Sequence, residues 1–266
     1  MESLEDWVYH SIGKGRHAFS FEEVRALYSD LPDEVLKVYL NRLAKKQRIL
    51  SLHRGYYLIV LPQYQSMGIL PVSLFIDGLM KYLNRPYYVG LLSAAALHGA
   101  AHQQPQEFFV VTTKPSMRPI RKKGIQVNFV SKAEIPNMFL EEKKTQTGYL
   151  KVSSPILTAI DLLDFADQVG FLNRVCTVLD ELAETIKPSD FNRKLLKICN
   201  TSTLQRLGYI FEHIIDEKNL ADAVYNLLSK TSLPLYRVKL DSKGKIRACP
   251  LDKKWNIYIN AQIETD

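Results

Sequence analysis

Three groups of residues have types and spacings that could support catalysis or metal binding. Glu141-Glu142-Lys143 has the acid-x-Lys spacing that a metal-dependent nuclease carries on a strand, but the polar stretch 140–147 is predicted to be a loop or a frayed helix. His98 and His102 are four residues apart, which can place two metal ligands on one helix face. No third ligand lies nearby, so packing or hydrogen bonding is favoured for both histidines. Asp161 and Asp164 are predicted to face solvent or to cap neighbouring groups.

The sequence lacks the motifs of the common nucleotide-binding and hydrolytic sites. It contains no GxxxxGK[ST], GxGxxG, HExxH or GxSxG pattern and no Gly-Ser dipeptide. Cys176, Cys199 and Cys249 are widely spaced and form no metal-binding pair. We therefore predict no catalytic residue, no metal and no cofactor, and hence no enzyme.

Composition indicates a folded protein with an anionic partner. The chain has 266 residues, of which 46% are hydrophobic and 24% charged, and a formal net charge of +7. Such a basic excess suits nucleic acid, although many basic proteins do not bind it. No apolar run approaches the roughly 18–20 residues of a membrane helix, and the acidic first ten residues do not resemble a signal peptide. We expect a cytoplasmic protein with reduced thiols and no membrane contact.

The first sixty residues have the pattern of a winged helix-turn-helix. Apolar spacing predicts helices over about 3–12, 21–28 and 33–46, and Ser20 with Glu23 forms a capping box before the second. Two short apolar runs, Ile49–Leu52 and Tyr56–Val60, then flank a turn at His53-Arg54-Gly55 and predict a β-hairpin that ends at Pro62.

The third predicted helix has one apolar and one basic face. Leu36, Leu40 and Leu43, helped by Val35 and Tyr39, form the apolar stripe. From position 37 to position 54 the chain has six basic residues and no acidic one. This pattern predicts DNA binding, with the helix in the major groove and the wing along the backbone. A protein-interaction module is the alternative.

The candidate DNA-binding residues fall into two roles. Base contacts are expected from Lys37, Asn41 and Lys45, because asparagine can bind adenine with two hydrogen bonds. Phosphate contacts are expected from Lys45, Lys46, Arg48 and Arg54. The full candidate set is Lys37, Asn41, Arg42, Lys45, Lys46, Arg48, His53 and Arg54.

The rest of the chain predicts a larger mixed domain, and the fold class is α+β. We expect a connecting segment at 63–86 with a helix near 72–83, and then a C-terminal domain over 87–266 after a DNA-binding domain over 1–62. A small-residue helix is predicted over 87–100 and strands over 106–113, 125–131 and 148–154. The helices after Pro155 are predicted over 156–163, 169–186, 190–198, 204–216 and 220–230, followed by strands over 233–240 and 254–260.

Two further basic clusters form a candidate secondary surface. One consists of Arg118, Arg121, Lys122 and Lys123, and the other of Lys243, Lys245 and Arg247. A charge run of this kind is typical of a solvated face. The functional alternative is an additional phosphate-contacting surface or a docking site for an acidic partner.

Several segments, in this order along the chain, resemble the AbiEi-like antitoxins of type IV abortive-infection toxin–antitoxin systems. They are VYLNRLAKKQRILSLHRGYYLI, YYVGLLSAAALHGAAHQQPQEFFVVT, VSSPILTAIDLL, LQRLGYIFE and WNIYIN. One departure is Gln47, which stands where that family often has a glycine before the wing.

The resemblance implies a function that composition does not. Proteins of this family resemble transcriptional autorepressors that bind inverted repeats in their own promoter. The C-terminal domain is implicated in countering a nucleotidyltransferase-like toxin without a stable complex. The alternatives are a winged-helix regulator with a ligand- or protein-sensing C-terminal domain and no toxin partner, and a DNA-cleaving enzyme that uses Glu141 and Lys143.

Overall fold

A computed structural model describes residues 2–61, 70–100, 106–231 and 233–263. It confirms the α+β class, because helices at the N-terminus are followed by a larger region of helices and strands. The predicted hairpin end at Pro62, the linker residues 63–69 and His102 lie outside the described residues. None of the described helices combines the length and the apolar character that a bilayer crossing needs.

The chain separates into two compact units that are each discontinuous in sequence. The first unit comprises Met1–Tyr88, Gln106–Ile135 and Glu142–Lys151. The second unit comprises Val89–Pro105, Pro136–Glu141 and Val152–Asp266. The predicted division at 62 and 86 is consecutive along the chain and stays a prediction.

The N-terminal part of the first unit has the element order predicted for a winged helix-turn-helix. Its elements are α1 (Leu4–Gly13), β1 (Ala18–Ser20), α2 (Phe21–Leu27), α3 (Asp33–Lys45), β2 (Ile49–His53) and β3 (Tyr56–Ile59). The strands form an antiparallel sheet in the order β1-β3-β2. The Ser20 hydroxyl accepts from the Glu23 amide, and the Glu23 carboxylate accepts from the Ser20 amide, so the predicted capping box starts α2.

The core of this module is built on one face of α3. Leu36, Leu40 and Leu43 are buried against α1 and α2, as their spacing predicts. Burying side chains of this size stabilises a fold by about 1.5–3 kcal/mol each. Val35 is half-buried. Tyr39 does not join the buried stripe as predicted, because it is 40% exposed and lies on the flank of the helix that faces α1.

A six-stranded mixed sheet follows in the chain. It is preceded by a 3-10 turn at Val72–Leu74 and by α4 (Ile76–Tyr82). Its strand order is β6-β7-β5-β4-β9-β8. The strands are β4 (Tyr87–Val89), β5 (Phe108–Thr113), β6 (Ile120–Lys122), β7 (Ile125–Lys132), β8 (Leu140–Thr145) and β9 (Gly148–Ser153).

Two predictions about this region are wrong. Tyr87–Val89 is a strand rather than the start of a helix, and the helix begins only at Leu91 after Gly90. The polar stretch over 140–147 is not a loop, because Leu140–Thr145 forms β8. That strand is last in the strand order, so within the described residues one of its edges has no neighbouring strand, and polar side chains are tolerated there.

The second unit is largely helical. Its helices are α5 (Leu91–Leu97), α6 (Pro155–Asp164), α7 (Phe171–Ala183), α8 (Thr201–His213) and α9 (Lys218–Ser229). The helix predicted over 190–198 is wrong, because this stretch contains only part of one 3-10 turn, Pro188–Asp190, and a second at Leu195–Lys197. The Asn192 side chain donates to the Asp190 carbonyl and accepts from the Lys194 amide, and such local bonds compete with helix formation.

A small C-terminal sheet is attached to α8. Its strands, β10 (Val238–Lys239), β11 (Leu251–Asp252) and β12 (Ile257–Tyr258), have the order β10-β12-β11. The Trp255 indole is buried directly over Gly208, where a side chain would collide with the ring. The indole N–H donates to the Glu212 carboxylate at 2.6 Å, and the Gln205 amide donates to the Trp255 carbonyl at 2.7 Å. The segments LQRLGYIFE and WNIYIN, which both contribute to the resemblance, therefore pack against each other.

Candidate nucleic-acid interface

The face of α3 opposite the core carries exposed polar and basic side chains. Lys37, Asn41, Arg42, Lys45 and Lys46 are all exposed. The structure thus places the helical part of the predicted DNA-binding set on the solvent side. These residues differ in their contacts, because one edge of the face lies towards the wing and the other towards α1.

One edge of this face leads to the wing. The Lys37 ammonium group lies 5.7 Å from the centre of the Phe21 ring, at the start of α2. Lys37 also lines an open groove with His53 and Arg54 at the tip of the wing. Three cationic or ionisable groups thus border one groove between the helix and the hairpin. Glu22 also lines this groove.

The other edge faces α1 and is partly neutralised. The Lys46 ammonium lies 2.8 Å from the Glu5 carboxylate, and both groups are exposed. The Arg42 guanidinium lies 5.8 Å from the centre of the Tyr39 ring. Arg48 is half-buried, with its guanidinium 5.4 Å from the Tyr9 ring centre. Lys46 and Arg48 are therefore less available to a phosphate than their charge alone suggests.

The wing turn is held from outside the predicted module. Gly55 has a φ of +73°, a conformation that glycine adopts without strain. The Tyr82 hydroxyl of α4 donates to the Arg54 carbonyl at 3.1 Å, and its ring centre lies 5.2 Å from that of Tyr56. Burial raises the pKa of Tyr56 and of Tyr82 above the usual phenol value, so both hydroxyls remain protonated. The spacing of Tyr82 within its helix indicated only an apolar face, and nothing in the sequence linked it to the wing.

The first secondary cluster is near the wing, but one of its arginines is already engaged. The Lys122 ammonium donates to the Ser51 carbonyl of β2 at 2.8 Å. The Arg121 guanidinium donates to Gln126 at 2.7 Å and to Asn128 at 3.1 Å, and it also pairs with the carboxylate of Glu107. The other two members of the cluster, Arg118 and Lys123, are exposed.

The second basic cluster belongs to the second unit. Lys245 and Arg247 are exposed on the turn between β10 and β11, with the exposed Ile246 between them. The ammonium of Lys243 lies 3.7 Å from the Asp167 carboxylate. The predicted secondary surface therefore consists of two clusters, one in each unit.

The residues considered as catalytic or metal-binding candidates are hydrogen-bonded or buried. The His98 ring nitrogen Nε2 lies 2.7 Å from the Ser153 carbonyl, in agreement with the predicted hydrogen bonding. Asp161 is fully buried, so of the two alternatives predicted for it, exposure to solvent is wrong and the capping of neighbouring groups stays a prediction. Asp164 is exposed and accepts from the Thr203 hydroxyl at 2.6 Å. Burial raises the pKa of Cys176 to about 12, which makes it a poor nucleophile.

The described residues contain no cluster of three or more potential metal ligands. Glu141 and Lys143 are on a strand, as a nuclease motif would require, and this corrects the predicted loop. The absence of catalytic activity stays a prediction.

The comparisons with known proteins agree with this architecture. Residues 88–213 match the family model of the AbiEi antitoxin C-terminal domain. Among solved structures, the chain is similar to the crystal structure of the RV2827C protein from Mycobacterium tuberculosis, with a TM-score of 0.67 and 13% identity over 94% of this chain and 88% of that chain. At this identity the likeness concerns the fold alone. A comparison with curated proteins finds no match.

Residues 88–213, just under half of the chain, are therefore similar to the AbiEi antitoxin C-terminal domain, and the predicted resemblance is confirmed. This assignment supports an antitoxin of a type IV toxin–antitoxin system. The matched family is one of antitoxins rather than of enzymes.

Proposed function

We propose that the protein is an antitoxin that represses its own operon by binding inverted repeats in the promoter. The observation that carries the proposal is the charge pattern of α3 and the wing. The leucine stripe fixes one face of α3 in the core. From position 37 onwards the opposite face belongs to the stretch up to position 54 that has six basic residues and no acidic one. An exposed helix followed by a hairpin fits a winged helix-turn-helix that inserts α3 into the major groove.

In this proposal the helix and the wing have different tasks. Asn41 and Lys45 on α3 face base edges, and Arg54 at the tip of the wing contacts the backbone. Lys37 borders the groove between the two elements and contacts a phosphate there. Two copies on an inverted repeat follow from the dyad symmetry of such operators.

The antitoxin activity belongs to the segment that matches the AbiEi family. Residues 88–213 carry that match. The toxin that this segment counters is nucleotidyltransferase-like and is encoded by the same operon. Neutralisation proceeds without a stable complex between the two proteins. The protein acts in the cytoplasm, where its promoter DNA is found.

The repressor function is tested by titrating the full chain onto its own upstream DNA over a range of salt concentrations. A scrambled duplex of equal length is the control. Tight binding that prefers the promoter and falls steeply with salt is expected. Arg54→Ala should weaken binding to both duplexes and reduce the salt slope by about one unit, whereas the exposed Arg193→Ala in the second unit serves as the matched control. Equal weak binding to both duplexes would contradict the proposal.

The antitoxin function is tested by co-expression with the neighbouring toxin gene. Growth should be rescued by the full chain and by Arg54→Ala, because the wing does not act on the toxin. Loss of rescue with intact promoter binding would instead indicate a regulator whose C-terminal domain senses a ligand or another protein.

A further inference from the structure

Four exposed side chains form a line along α3, directly opposite its buried leucines. Successive residues of a helix are about 100° apart, so positions i, i+4, i+7 and i+11 share one face. These positions are occupied by Glu34, Val38, Asn41 and Lys45, which we call the outer stripe. All four are exposed, and Val38 has 48% of its surface accessible. The outer stripe is the part of α3 that reaches furthest from the core.

The cations of α3 lie mainly beside the outer stripe. Lys37 leans towards the Phe21 ring on the wing side. Arg42 and Lys46 lie on the opposite side, close to Tyr39 and to Glu5 respectively. The stripe itself has one acid, one aliphatic residue and one amide before its single cation, Lys45. A face designed only for phosphate would not place an acid and an aliphatic side chain at its centre.

This arrangement matches the cross-section of a DNA major groove. Phosphates line both walls of the groove, where flanking cations meet them, and base edges lie between the walls. The only apolar group that a base pair presents in the major groove is the C5-methyl of thymine. Asparagine can donate to and accept from adenine in a paired hydrogen bond. The glutamate can accept from the cytosine amino group but would be repelled by a phosphate.

We infer that the outer stripe reads the operator, with the Val38 side chain packed on a thymine methyl and Asn41 bound to a neighbouring adenine. This inference rests on the proposed DNA-binding function and adds the base preference. Val38 and Asn41 are three residues apart, a rise of about 4.5 Å along the helix. That rise is similar to the roughly 3.4 Å between successive base pairs, so adjacent base pairs supply the two partners. Glu34 then faces a cytosine towards the N-terminal end of the helix.

The test removes one methyl group from the DNA at a time. After footprinting has located the protected half-site, each thymine in it is replaced singly by uracil, which has the same hydrogen-bonding groups without the methyl. Wild-type affinity should fall about fourfold at one thymine, as expected for the loss of one buried methyl group. Val38→Ala should bind the thymine and uracil duplexes equally. Val38→Thr, which keeps one methyl and the side-chain shape, should retain part of the difference.

A second substitution addresses the adenine. Replacement of the neighbouring adenine by 7-deazaadenine removes the N7 acceptor and should weaken wild-type binding but not binding by Asn41→Ala. Lys37→Ala is the control for a phosphate contact, because it should lower affinity for every duplex by the same factor and leave the thymine preference intact. Thermal unfolding of each variant confirms that these exposed substitutions leave the module folded.

The outcomes separate the inference from the function on which it rests. Promoter-preferring binding without any effect of uracil, or with an effect that persists in Val38→Ala, would overturn the reading role and leave the repressor function in place. Binding without promoter preference would overturn both. A thymine effect that vanishes only in Val38→Ala supports both.

Discussion

The Tyr82 hydroxyl donates to the Arg54 carbonyl at 3.1 Å, so a side chain of α4 fixes the backbone at the tip of the wing. The same hydroxyl occupies the space beside Gly55, where a Cβ atom would lie 2.5 Å from it. The wing turn therefore depends on a positive φ at one residue and on the close approach of another. In the proposed complex with DNA, this arrangement would keep the Arg54 backbone in one position at the phosphate contact.

Gly55→Ala should destabilise the first unit by at least about 1 kcal/mol, because alanine is strained at positive φ and also collides with Tyr82. DNA affinity should fall in parallel. Denaturant unfolding and promoter binding measure the two effects. Gly13→Ala is the matched control, since nothing lies within 4 Å of its added carbon. In the double variant Gly55→Ala/Tyr82→Phe the loss of stability should be smaller, because the colliding hydroxyl is absent. An unchanged loss of stability would argue against the collision.

Gln47 closes α3 in a left-handed conformation, with a φ of +57°. A side chain at such a position costs about 1 kcal/mol relative to glycine, offset in part by the greater freedom of glycine in the unfolded chain. Gln47→Gly should therefore raise the free energy of unfolding by about 0.5 kcal/mol. Glu22→Gly, at an exposed helical position, should instead lower the free energy of unfolding. Equal destabilisation at both sites would contradict the strain at position 47.

The ion pair between Glu5 and Lys46 competes with any phosphate for the lysine. Glu5→Gln should free the ammonium group, strengthen binding to all duplexes and steepen the salt dependence by up to about one unit. Promoter titrations across salt give both quantities. Asp222→Asn, an exposed substitution in the second unit, changes the net charge by the same amount. An equal gain from Asp222→Asn would mean that net charge, and not the released lysine, causes the effect.

Gly208 lets the Trp255 ring lie directly on the backbone of α8. Gly208→Ala should displace the indole and destabilise the protein by about 1–3 kcal/mol, as overpacking usually does. The intrinsic helix preference acts in the opposite direction, because alanine favours a helix over glycine. Tryptophan fluorescence and denaturant unfolding report the displacement and its energetic effect. An increase in stability would show that the ring adapts without loss.

The Glu212 carboxylate makes stability depend on pH. Burial, the largest single effect, would raise its pKa. The hydrogen bonds from Lys254 and Trp255, together with the electrostatic effect of Lys254 and His213, outweigh burial and hold the pKa below its ordinary value of 4.5. A lowered pKa in the folded state stabilises the protein above the unfolded-state value, and this contribution is lost as the pH falls through the folded-state value.

Glu212→Gln should consequently be less stable than the wild type at pH 7, and the gap should narrow below about pH 4.5. Urea unfolding at several pH values measures the gap. The exposed Glu184→Gln is the control for the loss of one negative charge. A gap of constant size at all pH values would mean that the ionised carboxylate does not supply the stabilisation.

Periodic patterns predicted the N-terminal module closely. The spacing of Leu36, Leu40 and Leu43 fixes which side of α3 is buried. The capping box marks the start of α2, and the glycine turn marks the connection between the two strands of the hairpin. Such local signals are independent of distant contacts. The departure at Gln47 also has a local meaning, because its backbone adopts the conformation that the glycine of the family favours.

Other features depend on tertiary context and were missed. Tyr87–Val89 is a short, fully buried apolar run, and periodicity does not separate such a strand from a helix. The charged residues of Leu140–Thr145 concealed a strand at the end of the sheet order. Asp161 has an ionisable side chain and is fully buried, which no sequence pattern indicated.

The candidate site was predicted in part. A search for positive charge selects the cations that flank α3 but overlooks Val38 and Glu34, because neither residue type is associated with phosphate. Their place on the outward face of α3 follows only from knowing which face of the helix is buried. Tyr82 was missed for a different reason, since its partner at Arg54 lies 28 residues earlier in the chain.

The separation between the leucine stripe and the outer stripe of α3 has a consequence for how such proteins diverge. In the proposed complex, the side chains that hold the helix in place are not the ones that face the DNA groove. The base sequence that the helix recognises can therefore change without any change in the core. A cell that harbours several operons of this kind could keep them insulated from one another through a few exposed substitutions. Exchange of the four outer positions between two such proteins would then exchange their promoters as well.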